Sequence, residues 1–190
     1  MKIREEEIEF GKYYHIFNRG INSKNVFLNQ NNYSFFLLKV EKYILPYFDI
    51  ISYCLMPNHF HFILRAKIKI DIQKIEFKEK GLHSEDAIFS KSIAKLISSY
   101  TQSFNKVYQR SGALFESPFK RINIDSEEYL RNLILYIHQN PDNFEQYKFS
   151  SYKSIISQAE TKIERQIVLD VFGGKDNFIL THRNIKSDIL

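Results

Sequence analysis

One cysteine, Cys54, in 190 residues leaves nothing to pair with in an intramolecular disulfide and rules out a cysteine-rich zinc site. That scarcity fits a reducing compartment. No uninterrupted apolar run approaches the ~20 residues of a spanning helix. The longest candidate, Tyr33 to Leu45, is broken by Lys39, Glu41 and Lys42. Residues Met1 to Glu7 mix charges and lack the apolar stretch of a signal peptide. The expectation is a soluble, cytoplasmic protein with no membrane partner. There are few glycines (6) and prolines (4), no internal repeat and no low-complexity segment.

What is present fits a packed domain. Hydrophobic residues make up 44% of the chain, which excludes disorder as the main state. Tryptophan is absent, so the 15% aromatic content rests on 17 Phe and 12 Tyr. Lys and Arg total 27 against 22 Asp and Glu, a net charge of 27 − 22 = +5. The resulting pI of about 9.1 is a mild pointer to a polyanionic partner and equally an ordinary soluble surface.

Pattern and punctuation give the element order. Lys12 to Phe17 reads as a strand ending at the Asn18-Arg19-Gly20 turn. A helix follows from Asn31-Asn32 to Leu45, closed by Pro46. Phe48 to Met56 and His59 to Lys67 form a hairpin around Pro57-Asn58. Ile68 to Ser84 reads as an irregular insertion, and about Ala87 to Gln109 as a long amphipathic helix. Leu114 to Ile124 is a strand, with Pro118 placing it at an edge or a bulge. Asp125 and Glu128 are spaced as a capping box for a helix ending near Asn140, before Pro141. Ser150 to Ser157 and Val168 to Phe172 are short helical candidates. The order β-α-β-β-α-β-α predicts the α+β class, with an antiparallel or mixed sheet and helices mainly on one face, and a ferredoxin-like antiparallel sheet is the form expected. The division is a domain over 1–155 and a helical tail over 156–190.

The stretch Met56-Pro57-Asn58-His59-Phe60-His61 carries the clearest chemistry. Alternate side chains of a strand share a face, so His59 and His61 project together, about 7 Å apart along the backbone. Two imidazoles so placed can converge on one metal ion, although the same pair also occurs in half-buried strands that bind nothing. On the helix after Asp125, Leu130, Ile134 and Ile137 form the apolar stripe, and Tyr129, Leu133, Tyr136 and Asn140 lie along one flank. Tyr136 and Asn140, at i and i+4, point the same way, while His138 and Gln139 point elsewhere. Taken alone, Tyr136 also reads as a packing tyrosine, and Asn140 as a helix C-cap.

Taken together, these segments resemble the HUH single-tyrosine transposases, in the branch of the REP-associated tyrosine transposases of bacteria. The resemblance rests on Met56-Pro57-Asn58-His59-Phe60-His61, on Gly112-Ala113-Leu114-Phe115-Glu116-Ser117-Pro118-Phe119-Lys120, on Tyr129-Leu130 with Tyr136-Ile137-His138-Gln139-Asn140-Pro141, and on Phe149-Ser150-Ser151-Tyr152. The blocks occur in the family's order, and the resemblance covers about residues 12 to 155.

The resemblance implies roles. His59, His61 and Asn140 would bind a divalent ion, Mg²⁺ or Mn²⁺, and Tyr136 would be the nucleophile. Phenols titrate near 10, so such a nucleophile needs a cation or base close by. The implied activity is metal-dependent cleavage of single-stranded DNA through a 5′-phosphotyrosine, followed by strand transfer. The implied partners are single-stranded or hairpin DNA and a second copy in a homodimer, with catalysis in cis or in trans left open. Arg19, Arg65, Lys67, Arg110, Lys120 and Arg121 are candidate DNA contacts, and Tyr13, Tyr14, Phe115 and Phe119 are candidate base-stacking platforms. One alternative is a domesticated relative that binds DNA or RNA hairpins without cutting. Another is an unrelated His-x-His metal hydrolase, which would need carboxylates beside the histidines.

Overall fold

The computed structural model describes residues 6–68, 81 and 84–184. Most of the insertion expected over Ile68 to Ser84 therefore lies outside the described residues, as does the end of the tail.

Four strands form one antiparallel sheet in the order β2-β3-β1-β4. They are β1 (Tyr13–Arg19), β2 (Phe48–Met56), β3 (His59–Ala66) and β4 (Lys120–Ile124). The first two helices, α1 (Gln30–Tyr43) and α2 (Glu85–Val107), fall between strands, giving the ferredoxin-like β-α-β-β-α-β order. Then come α3 (Glu127–Gln139), α4 (Tyr152–Ile156), α5 (Arg165–Phe172) and α6 (Lys175–Asn184).

Local chemistry explains where the helices begin. Asn29 caps α1 by accepting from the Asn32 amide at 3.1 Å, and Ser84 caps α2 by accepting from Ala87 at 3.3 Å. Glu85 and Asp86 in the first turn of α2 suit the positive end of its dipole. The cap of α3 is Ser126, which accepts from the Tyr129 amide at 3.2 Å, so the expected capping box at Asp125 is corrected by one residue.

The last strand is shorter than the expected Leu114 to Ile124. Pro118 has no N–H for a ladder, and before it the chain makes only a single bridge, Phe115 to Gly20. Regular pairing with β1 runs from Lys120 to Ile124.

The register decides which residues meet. Phe17 pairs with His61 and Arg19 with His59, while His15 lies opposite Ile63, so all of these share one face. The opposite face carries Phe60 and Phe62, which pack on Phe36 of α1 at ring distances of 5.3 and 6.4 Å. Tyr100 of α2 meets Phe36 edge-on at 5.0 Å and donates to Val26 O at 2.6 Å. Emptying the Phe36 site is expected to cost about 3–5 kcal/mol.

The expectation of helices mainly on one face needs one adjustment. α1 and α2 take the Phe60 face, and α3 lies across the histidine face. A register irregularity between Ile50 and Ser52 turns Ser52 and Cys54 toward that second face. There the described tail is anchored by a buried polar chain. The Ser52 and Ser151 hydroxyls lie 3.0 and 2.8 Å from His138 Nε2, His138 Nδ1 lies 2.9 Å from His182 Nε2, and His182 Nδ1 donates to Phe178 O at 2.7 Å. Val168, Phe172 and Phe178 of α5 and α6 join the same hydrophobic core as the sheet. Among the described residues, no helix is long and apolar enough to cross a membrane.

Candidate active site

The histidine face opens into a pocket of about 350 Å³ between the sheet and α3. β1 supplies His15, Phe17, Asn18 and Arg19 to its wall, and β3 supplies His59 and His61. Lys120 and Ile122 come from β4, and Tyr129, Leu133, Tyr136 and Asn140 from α3. The α3 flank read from helical periodicity is thus the flank that lines the cavity. Leu130, Ile134 and Ile137 are buried beneath it, which fixes the helix's rotation about its axis.

Within one chain, Tyr136 stands edge-on to His61, with ring centroids 5.7 Å apart. One turn later, Asn140 places Oδ1 3.1 Å from His59 Nε2. The other nitrogen of His59, Nδ1, lies 2.6 Å from Asn58 Oδ1. Asn58 donates its own amide to Ser23 O at 3.3 Å, which fixes the oxygen toward the ring. A neutral imidazole has one N–H, and Asn58 claims it at Nδ1. His59 Nε2 and Asn140 Oδ1 are then two lone-pair atoms face to face, an arrangement that a cation satisfies. A half-turn of the Asn140 amide would offer its N–H to the same nitrogen, so this side chain can serve the ring in either state.

Burial, the leading cause, lowers the pKa of His59, and the Arg19 cation adds to the effect while the Asn140 contact opposes it. His61 is pushed further down, mainly by burial and then by His15, His59 and Arg19. Both rings are therefore neutral at physiological pH, the state a metal ligand needs. Among the described residues, no group of three His, Cys, Asp or Glu side chains converges on a point, so a third ligand here would be the Asn140 amide. Asp49, the carboxylate nearest the histidines in sequence among the described residues, is held by Arg65 at 2.7 Å. Cys54 is buried and its thiol pKa is driven up by that burial, which leaves it inert.

The basic residues divide into two groups. Arg19 and Lys120 line the pocket, and Lys120 also sits over the Phe17 ring at 5.8 Å and lies 3.8 Å from the half-buried Glu116 carboxylate. Arg65 and Lys67 are both drawn to Asp49, at 2.7 and 3.8 Å, and Lys67 donates to Leu45 O at 2.8 Å. Arg121 is spent on Asp86 at 2.8 Å, on the opposite face of the sheet. Arg110 braces its own loop through Asn105 at 2.8 Å and Ala113 O at 2.9 Å. Two of the expected stacking platforms are corrected: Tyr14 and Phe115 are 1% and 3% exposed and belong to the core. Tyr13 and Phe119 are half-buried.

Sequence reasoning missed His15, whose Nε2 lies 2.9 Å from His61 Nδ1. It also missed Asn58 as the group that orients His59. Asn58 stood next to the motif and could have been named, whereas His15 becomes a neighbour of His61 only through the β1–β3 register.

No family model matches the chain, and no curated protein matches it. Among solved structures, it is similar to a REP-associated tyrosine transposase bound to a REP hairpin, with a TM-score of 0.63 at 14% identity, covering 83% of this chain and 87% of that one. At that identity the likeness is one of architecture: this chain has the fold of a tyrosine transposase.

Proposed function

We propose that this chain is a metal-dependent single-stranded DNA endonuclease and strand transferase acting on hairpin or repeat DNA, with Tyr136 as its nucleophile. The observation that carries the reading is the convergence of Tyr136, His59, His61 and Asn140 on one pocket within a single chain. The fold's likeness to a transposase that was solved with a hairpin supports the choice of substrate.

His59 Nε2, His61 Nε2 and Asn140 Oδ1 would hold the divalent ion, Mg²⁺ or Mn²⁺. When bound, it supplies Lewis-acid stabilisation of charge on a phosphoryl oxygen. Arg19 at the pocket rim and Lys120 on β4 attract and orient the phosphate backbone. Tyr136 Oη attacks phosphorus, a P–Oη bond forms and the P–O3′ bond breaks. The phenolic proton ends on the departing 3′-hydroxyl. One phosphodiester replaces another, so a free 3′-hydroxyl can reverse the step on a new partner without ATP. The presence of the whole set in one chain supports a reaction in cis.

The test is incubation of the full-length protein with single-stranded hairpin DNA and Mn²⁺. A covalent protein–DNA adduct that is absent from Tyr136→Phe supports the reading. A hairpin complex with no adduct under any metal would place the chain with non-cleaving binders.

A further inference from the structure

The structure assigns a positioning role to His15: its ring nitrogen Nε2 accepts the His61 Nδ1 proton and so leaves His61 Nε2 as a bare lone pair facing the pocket. The inference rests on the metal-and-tyrosine reading of that pocket and deepens it.

His15 belongs to β1, two residues before Phe17, the strand partner of His61, and so on the same face of the sheet. It is 5% exposed, and its Nε2 lies 2.9 Å from His61 Nδ1. The ring has little freedom to turn away. Phe17 stacks on it at 4.4 Å and 21°, and His61 lies beside it at 5.1 Å and 21°. Two neutral imidazoles in contact share one proton, so one ring donates and the other accepts. If His15 donated, the His61 proton would sit on Nε2 and an N–H would point into the cavity. If His61 donates, Nε2 is free to ligate, the arrangement in which a ligating histidine gives its other N–H to a nearby acceptor.

The neighbouring histidine shows the same device. His59 is held at Nδ1 by the Asn58 carbonyl oxygen at 2.6 Å and turns Nε2 toward Asn140. His15 does for His61 what Asn58 does for His59, so both rings of the motif are pinned from behind with Nε2 forward. His15 itself is not a ligand in this arrangement, since the nitrogen that contacts the site is engaged with His61.

Two measurements on the full-length protein test this. In metal-free protein carrying ¹⁵N-histidine, long-range ¹H–¹⁵N correlation distinguishes protonated from bare ring nitrogens, and the His61 signals are identified by their loss in His61→Gln. The expected result is a proton on Nδ1 and a bare Nε2; a proton on Nε2 would overturn the assignment. Mn²⁺ binding is then followed by electron paramagnetic resonance of the free ion. His15→Phe keeps the stacked ring but removes the acceptor, and is expected to weaken binding about 10- to 100-fold. His15→Gln places an oxygen at a similar reach and is expected to stay within a few-fold of the parent. Equal affinity in the parent and in His15→Phe contradicts the role. If the parent binds no Mn²⁺ while His61 carries its proton on Nδ1, the metal reading fails and the His15–His61 assignment stands.

Discussion

His59 Nε2 and Asn140 Oδ1 face each other at 3.1 Å across the gap between β3 and the end of α3, each able to present a lone pair. This relationship predicts how the site responds to a change of charge at position 140. Asn140→Asp keeps the oxygen and adds a negative charge, so Mn²⁺ should bind several-fold more tightly. Asn140→Leu should bind at least tenfold more weakly. Calorimetric titration of the two variants, with circular dichroism as a check on folding, measures this directly. Indifference of Mn²⁺ affinity to both substitutions would remove Asn140 from the site.

The division of basic residues predicts different phenotypes on the same sheet. Arg19→Ala and Lys120→Ala should weaken binding of hairpin DNA and lower the slope of log affinity against log salt by about 0.7–0.9 for each lost phosphate contact. Arg65→Ala instead releases Asp49 and should cost roughly 1 kcal/mol of stability with an unchanged salt slope. Fluorescence anisotropy at several salt concentrations, alongside urea unfolding, separates the two classes. An altered slope in Arg65→Ala would show that the Asp49 pairing opens for DNA.

The buried histidine chain predicts acid lability. Burial lowers the pKa of His182 to about 4, against the Phe178 carbonyl contact that raises it, and burial with His182 nearby holds His138 well below its ordinary value. Both rings stay neutral in the folded chain and ionise near 6.5 once unfolded. Above about pH 6.5 the full stability is present. As pH falls from there toward the folded values, the unfolded chain takes up protons that the folded one refuses. Each ring then removes roughly 1.4 kcal/mol per pH unit. His182→Gln keeps an acceptor for His138 but cannot titrate, so its stability loss between pH 6.5 and 5.0 should be about 2 kcal/mol smaller than the parent's in urea unfolding. A parallel loss in parent and variant would contradict the neutral assignment.

Gly20 carries a steric prediction. A Cβ there would stand 2.1 Å from Lys24 O and 2.8 Å from Val26 Cγ1, in a turn that follows Arg19 directly. Its φ of −62° is open to any residue, so the glycine is needed for space and not for a left-handed backbone. Gly20→Ala should destabilise by about 1–3 kcal/mol and, by displacing the turn, weaken DNA binding as well. Thermal unfolding close to that of the parent would show that the turn yields freely.

The parts of the fold legible in the sequence are those written in local patterns. The hairpin around Pro57-Asn58 emerged with β2 at its expected bounds, because alternation and turn chemistry are short-range. The α3 flank of Tyr129, Leu133, Tyr136 and Asn140 was legible because 100° per residue is enough to place it. What depended on register was hidden. Nothing in Lys12 to Phe17 says that His15 will lie behind His61, and nothing near Arg121 says that Asp86 will claim it. Within the expected helical tail, only Val168 to Phe172 was singled out, and helix α6 was not placed. Its burial depends on His138 and His182 finding each other across 44 residues, which amphipathicity alone does not announce.

The covalent step is the most direct test of the account. Full-length protein and a 5′-labelled or 3′-labelled single-stranded hairpin are incubated with Mn²⁺, denatured and resolved on a gel, with peptide mass spectrometry of any adduct. The account predicts a DNA fragment joined through its 5′ phosphate to Tyr136, a free 3′-hydroxyl on the released strand, and no adduct in Tyr136→Phe or in His59→Ala with His61→Ala. An adduct that persists in Tyr136→Phe, or that maps to Tyr129 or Tyr100, would contradict it.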